Sequence, residues 1–134
     1  MNAYNPEIPP NPSEWLALGE ERRIDLAVGF HEAAGVDLPD LRMHAVFHCV
    51  VETQLAEKYQ PALAALDRLQ RGGLHRHDSI HAIGSVLAEH LHKIAQPQWQ
   101  RNVEEHNSHY AAELGRLTAK RWRNRYGSRR RRDG

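Results

Sequence analysis

Residues 41–59 read LRMHAVFHCVVETQLAEKY, and this stretch decides the fold. An α-helix advances about 100° per residue, so the direction of each side chain follows from its position. Wound that way, Leu41, His44, Ala45, His48, Glu52 and Leu55 fall within one sector of roughly 100°, an inward stripe carrying two histidines and a carboxylate. Asp40 is placed to cap this helix, which is expected to run to about Tyr59. Downstream, Pro61 suits the first position of the next helix, PALAALDRLQ, which Gly72 and Gly73 end. Residues 75–96, HRHDSIHAIGSVLAEHLHKIAQ, form a fourth periodic segment, and Pro97 either breaks it or opens a fifth running through WQRNVEEHNSHYAAELGRLTAKRWR. Upstream, EERRIDLAVGFHEAAG reads as the first helix, ending near Gly35, and Ser13 is placed to cap a turn holding Trp15.

No strand-like alternation bounded by hairpin turns appears, and the connections are short. The expectation is an all-α, single-domain bundle of about five helices with antiparallel neighbours. Four prolines among the first twelve residues make 1–12 an extended arm, followed by a helical metal-binding domain at 13–126 and a basic, disordered tail at 127–134.

A chain of 134 residues can bury roughly two-thirds of the surface that its unfolded form exposes, so one core is expected. No run of about 18 apolar residues is present, and MNAYNPEIPPNPSEW lacks the basic and apolar regions of a secretory signal. A cytoplasmic protein with no membrane association is therefore expected; a homo-oligomer is compatible with the sequence. Cys49 is the only cysteine, which excludes an internal disulfide and a cysteine-rich zinc site and leaves histidine and carboxylate as ligands. The net charge of +1 hides an asymmetry: residues 1–115 hold 9 Lys/Arg against 16 Asp/Glu, and residues 116–134 hold 9 against Asp133 alone. Such a basic end suits nucleic acid or the acidic body of another protein, with Trp122 and Tyr126 interleaved among Arg121, Arg123 and Arg125 to stack on bases, although a solvated tail has the same composition.

Ten histidines are present, and their direction matters more than their number. His77, Ile80, His81, Gly84, Leu87, Ala88 and Leu91 share one face of the fourth segment, with Gly84 and Ala88 small enough to admit a close neighbour. Histidines at i and i+4 lie on adjacent turns, about 6 Å apart, so their nitrogens can converge on one ion. His44, His48, His77 and His81 are the expected ligands. Glu52, one turn further on, is expected either to ligate the metal or to orient a ligand histidine through its other ring nitrogen. His31, on the face of Ile24, Ala27 and Val28, and His106, on the face of Val103, Tyr110 and Leu114, are candidates for a fifth nitrogen or for ordinary core packing. His75, His90, His92 and His109 read as surface residues.

The segments HAVFHCVVETQLAE and RHDSIHAIGSVLAEHL resemble an uncharacterised bacterial family, a domain of unknown function whose members carry H-x7-E-N-Q-L-A and R-H-E-A-I-H-A-I-G. The likeness covers about residues 15–95 and falls on His44, Glu52, Gln54, Leu55 and Ala56, then on Arg76, His77, His81, Ala82, Ile83 and Gly84. Thr53 stands where the pattern has Asn, and Asp78 where it has Glu. The resemblance implies a helical fold and no particular activity.

Two functions remain open from the sequence. A histidine-rich site holding zinc or iron, with a vacant position, suits a metalloenzyme performing hydrolysis or oxygen chemistry. H-E-x-x-H, a Gly-rich phosphate loop, G-x-S-x-G and paired Glu-x-x-His motifs are all absent, and Cys49 is about 100° off the histidine face. The alternative is an interaction module, metal-stabilised or metal-free, whose basic tail contacts a polyanionic partner.

Overall fold

The computed structural model describes residues 1–125. Within them run α1 (Pro12–Ala17), α2 (Glu20–Ala33), α3 (Leu41–Ala56), α4 (Gln60–Arg71), α5 (Arg76–Ile94), a 3-10 turn (Pro97–Trp99) and α6 (Val103–Arg116), followed by a helical stretch at 119–125. The fold is all-helical, and the expectation of about five helices is corrected upward for two local reasons. The first is that the turn around Trp15 is a helix in its own right, capped by Asn11 rather than Ser13: the Asn11 side chain accepts from the amide of Glu14 at 3.0 Å. So short a helix is not stable alone. The Arg23 guanidinium binds its terminal carbonyls at Trp15 and Leu16, and the Trp15 indole N–H donates to Thr53 Oγ1 of α3 at 3.1 Å.

The second reason lies in the expected fifth helix, which is broken twice. Pro97 opens the 3-10 turn, and Asn102 restarts the helix by accepting from the Glu105 amide at 2.8 Å. Leu117 then turns extended at φ −73°, ψ 121°. Arg68 of α4 drives this second break, donating to the carbonyls of Leu114 at 3.1 Å and Leu117 at 2.6 Å and so satisfying acceptors that a continuing helix would use. Thr118 Oγ1 accepts from the Arg121 amide and starts the stretch 119–125.

The other ends follow their sequence signals. Asp40 caps α3 through the Met43 amide at 3.0 Å, and Gly35 and Gly73 take the left-handed conformation (φ 73° and 97°) after α2 and α4. α3 ends at Ala56, a little before Tyr59, because Lys58 also turns left-handed at φ 60°.

Two apolar clusters flank α3. Tyr4, Trp15, Ile24, Leu26, Ala27, Ala45 and Cys49 pack on one side; Val51, Leu55, Leu69, Ile80, Ile83, Leu114 and Trp122 anchor the other, among α3, α4, α5, α6 and the stretch 119–125. α3 is therefore buried on more than one face and is the central element. Trp122 is core, which removes it from the expected base-stacking surface. The segment before α1 has no helix or strand, yet it is docked: Tyr4 is 3 % exposed, Pro6 is fully buried, and the Pro6 carbonyl accepts from Arg76 at 2.9 Å. The expected tail at 127–134, with Arg129 to Arg132, and Tyr126 lie outside the described residues. Among the described residues no helix is long and apolar enough to cross a membrane.

Candidate metal centre

α3 is the middle strut of the site. Its inward stripe faces α5 on one side and α2 on the other, so His44 and His48 meet histidines from both neighbours. His31, His44, His48 and His81 each offer a nitrogen, and these four atoms lie within 4.8 Å of one another. His81 Nε2 is 3.1 Å from His48 Nε2 and 3.2 Å from His44 Nε2. The structure thus brings together three of the four expected ligands and adds His31, which α2 delivers because Ala27 and His31 share the face turned to α3.

His77 stands beside the group rather than among those four nitrogens. Its ring centroid is 4.3 Å from that of His81 and 5.1 Å from that of His48, while its other side meets the ring of Phe30 at 5.7 Å. The reason is its place in the first turn of α5, where its amide donates to Glu7 Oε1 at 2.6 Å. His81, one turn deeper, reaches the centre. His106 does not approach the site: it lies on the α5–α6 contact, 6.2 Å from the ring of His90. His90 is buried there at 7 % exposure, and His109 is half-buried, so neither is the surface residue expected; His75 and His92 are exposed.

Glu52 is not a ligand in this geometry. Its two oxygens accept from Arg76 Nη1 at 2.8 Å and Nη2 at 2.7 Å, and Oε2 also accepts from the Tyr4 hydroxyl at 2.6 Å. The Glu52–Arg76 pair is almost fully enclosed, with side chains 1 % and 7 % exposed. Its orienting effect runs through Tyr4, whose oxygen sits 3.1 Å from His48 Nδ1. The single hydroxyl proton goes to Glu52, so the Tyr4 oxygen accepts from His48 Nδ1–H, and the lone pair of His48 is left on Nε2.

The same logic fixes His31. Its Nδ1 is 2.6 Å from the Ala27 carbonyl, which can only accept; Nε2 therefore carries a lone pair, and it is buried without a hydrogen-bond partner. An unsatisfied buried acceptor of this kind is unfavourable. His81 Nε2 lies against both His44 Nε2 and His48 Nε2, and with the His48 lone pair on Nε2, a lone pair on His81 Nε2 would face it unfavourably. A cation at the centre satisfies all of them. Zinc–nitrogen bonds of about 2.0–2.1 Å in a tetrahedron put neighbouring nitrogens about 3.3 Å apart, close to the two short contacts seen. Burial, with His31 and His77 beside it, holds His44 down at about 4, and burial among the other histidines also lowers His48 strongly. These imidazoles are neutral near pH 7, the form that ligates.

A cavity of about 210 Å³ borders the cluster, lined by His44, Phe47, His48, Ile80, His81, Gly84 and Ser85. His31 is not in its wall, so the cavity lies on the side of the other three histidines. Cys49 faces the opposite core, and burial, with Glu52 adding to it, pushes its thiol up to about 12, which removes it as a nucleophile.

The fold and site together define an all-helical protein with a partly buried four-histidine cluster at metal-binding distance. No family model, curated protein or solved structure matches the chain.

Proposed function

We propose that the protein binds one divalent transition-metal ion, zinc or iron, through His31, His44, His48 and His81, and that the ion keeps an exchangeable position on the cavity side, as a metalloenzyme requires. The observation that carries this reading is the set of four buried or half-buried imidazoles from three helices, two of which have hydrogen bonds that turn an Nε2 lone pair inward. Four neutral nitrogen donors suit zinc and iron and disfavour magnesium or calcium, which prefer oxygen. Hydrolysis by a metal-bound hydroxide and oxygen chemistry are the two reaction classes such a centre serves.

The test is elemental analysis of the full chain purified without added metal, followed by chelation and reconstitution. One equivalent of zinc or iron, with X-ray absorption showing a nitrogen shell plus at least one light ligand in excess of four imidazoles, is the expected result. Absence of stoichiometric binding after reconstitution with either metal would sink the reading. A shell of four imidazoles and nothing else would favour the second reading, a metal-stabilised interaction module.

The charge asymmetry supports that second reading. Arg121, Arg123 and Arg125 are exposed on the last helical stretch and lead into a sequence with four further arginines, against a body with an excess of acidic residues. A polyanionic partner, nucleic acid or an acidic protein, is the chemistry this end would recognise.

A further inference from the structure

The proposed ion would sit among four neutral ligands, with no carboxylate among them. Glu52, the one fully buried carboxylate among the described residues, is already held by both arms of Arg76 and by Tyr4. No Asp, Glu, Lys or Arg lines the neighbouring cavity. A divalent cation with no anionic ligand, in surroundings of low dielectric, strongly attracts a negative group. The cavity is the route by which one arrives: His44, Phe47, His81, Gly84 and Ser85 are only partly buried, so it communicates with solvent.

The rest of the cavity wall limits what the anion can be. Phe47, Ile80 and Gly84 are apolar, and the Ser85 hydroxyl donates to the Ala82 carbonyl at 2.7 Å, which leaves it no proton to offer. Apart from the ring N–H groups of its histidines, the wall offers no side-chain donor and no cation for a second negative charge, so a dicarboxylate or phosphate dianion is disfavoured. The cavity, of about 210 Å³, has room for a small molecule of a few heavy atoms.

Resting on the metal reading above, we infer that the cavity beside His44, His48 and His81 binds a small monoanion with an apolar body, a short-chain monocarboxylate, with its carboxylate on the ion and its alkyl chain against Phe47 and Ile80. The ligand enters on the side of the cluster away from His31. Gly84 is part of the cavity wall. A Cβ built there meets Phe47 Cβ and Val51 Cγ2 at 4.0 Å, ordinary contact that the fold tolerates, and it occupies part of the cavity wall.

The experiment is titration of the cobalt(II)-loaded full chain with formate, butanoate, succinate and butanamide, followed by the visible absorption of the metal. Butanoate is expected to shift the cobalt bands and to bind about tenfold more tightly than formate, because each methylene moved from water to an apolar wall favours binding several-fold. Succinate and butanamide are expected to bind at least about tenfold more weakly than butanoate. Gly84→Ala is expected to reduce the butanoate-to-formate preference. Cobalt bands that respond to none of the four would overturn the inference and leave the metal reading intact. Equal responses to formate, butanoate and succinate would overturn it too, since any anion would then reach an exposed ion. Failure to bind cobalt at all would overturn both.

Discussion

The Tyr4 hydroxyl donates to Glu52 across 2.6 Å, 48 residues away in sequence, and by spending its only proton there it decides which nitrogen of His48 is protonated. The docked N-terminal segment is thus part of the site. Tyr4→Phe keeps the ring against Trp15, at 5.6 Å between centroids, and removes only the oxygen. The expected outcome is metal affinity reduced by about 10–100-fold, with the metal-free chain destabilised by about 1–3 kcal/mol because His48 Nδ1–H and Glu52 Oε2 each lose a buried partner. Competition against a chromophoric chelator measures it, and an unchanged affinity would show that His48 needs no such orientation.

Glu52→Gln leaves the Arg76 guanidinium enclosed without its counter-charge. Breaking one side of a buried pair is destabilising by about 3–5 kcal/mol. A urea unfolding midpoint close to that of the unaltered protein would mean that Arg76 finds another acceptor besides the Pro6 carbonyl.

Two glycines are expected to respond differently to the same added methyl. At Gly72 a Cβ would lie 2.7 Å from Ala119 Cβ, so Gly72→Ala must push the stretch 119–125 away from α4. Overpacking of this kind destabilises by about 1–3 kcal/mol. Gly84→Ala has room and is expected to be close to neutral, while Gly84→Leu, too large for the contact with Phe47 and Val51, falls in the same 1–3 kcal/mol range, or about that. Thermal melts of the three variants decide it; a destabilised Gly84→Ala with a neutral Gly72→Ala would reverse the assignment.

Acid is expected to loosen α6. Burial lowers the His90 pKa, His109, His106 and Lys93 act in the same direction, and Glu113 opposes them. A folded pKa below the unfolded value of about 6.5 means that the unfolded chain binds the proton more readily. This contribution to stability is complete above about pH 6.5 and is lost as pH falls through the folded value. Amide exchange in Val103–Arg116, corrected for its intrinsic pH dependence, should be less protected at about pH 5 than at pH 7. His90→Phe should flatten that difference; an equal difference in the variant would assign the effect to other groups.

The basic end is tested by deleting residues 128–134, which removes Arg129 to Arg132. If a polyanion binds there, affinity should weaken and its salt dependence should become shallower, since four charges no longer displace counterions. Identical binding to nucleic acid by the full and shortened chains at two salt concentrations would leave these arginines without that role.

The sequence by itself determined the central helices α2 to α5 and much of the centre. The 3.6-residue period puts His44, His48 and Glu52 on one face of α3 and His77 and His81 on one face of α5, whatever the rest of the chain does. Asp40, Gly35 and Gly73 mark their ends because capping and left-handed turns are local chemistry. Only the tertiary structure decided which histidines meet. A helical wheel gives direction and not depth, so it could not separate His81, one turn into α5, from His77 in its first turn, or tell His31 from His106 as the partner of the pairs. Glu52 was legible as inward but not as salt-bridged, because Arg76 lies at the start of another helix and Tyr4 in a segment with no periodicity at all. The breaks around α6 were hidden for the same reason: the Arg68 guanidinium that takes the Leu117 carbonyl comes from α4, 49 residues earlier, and no local pattern records so distant a donor.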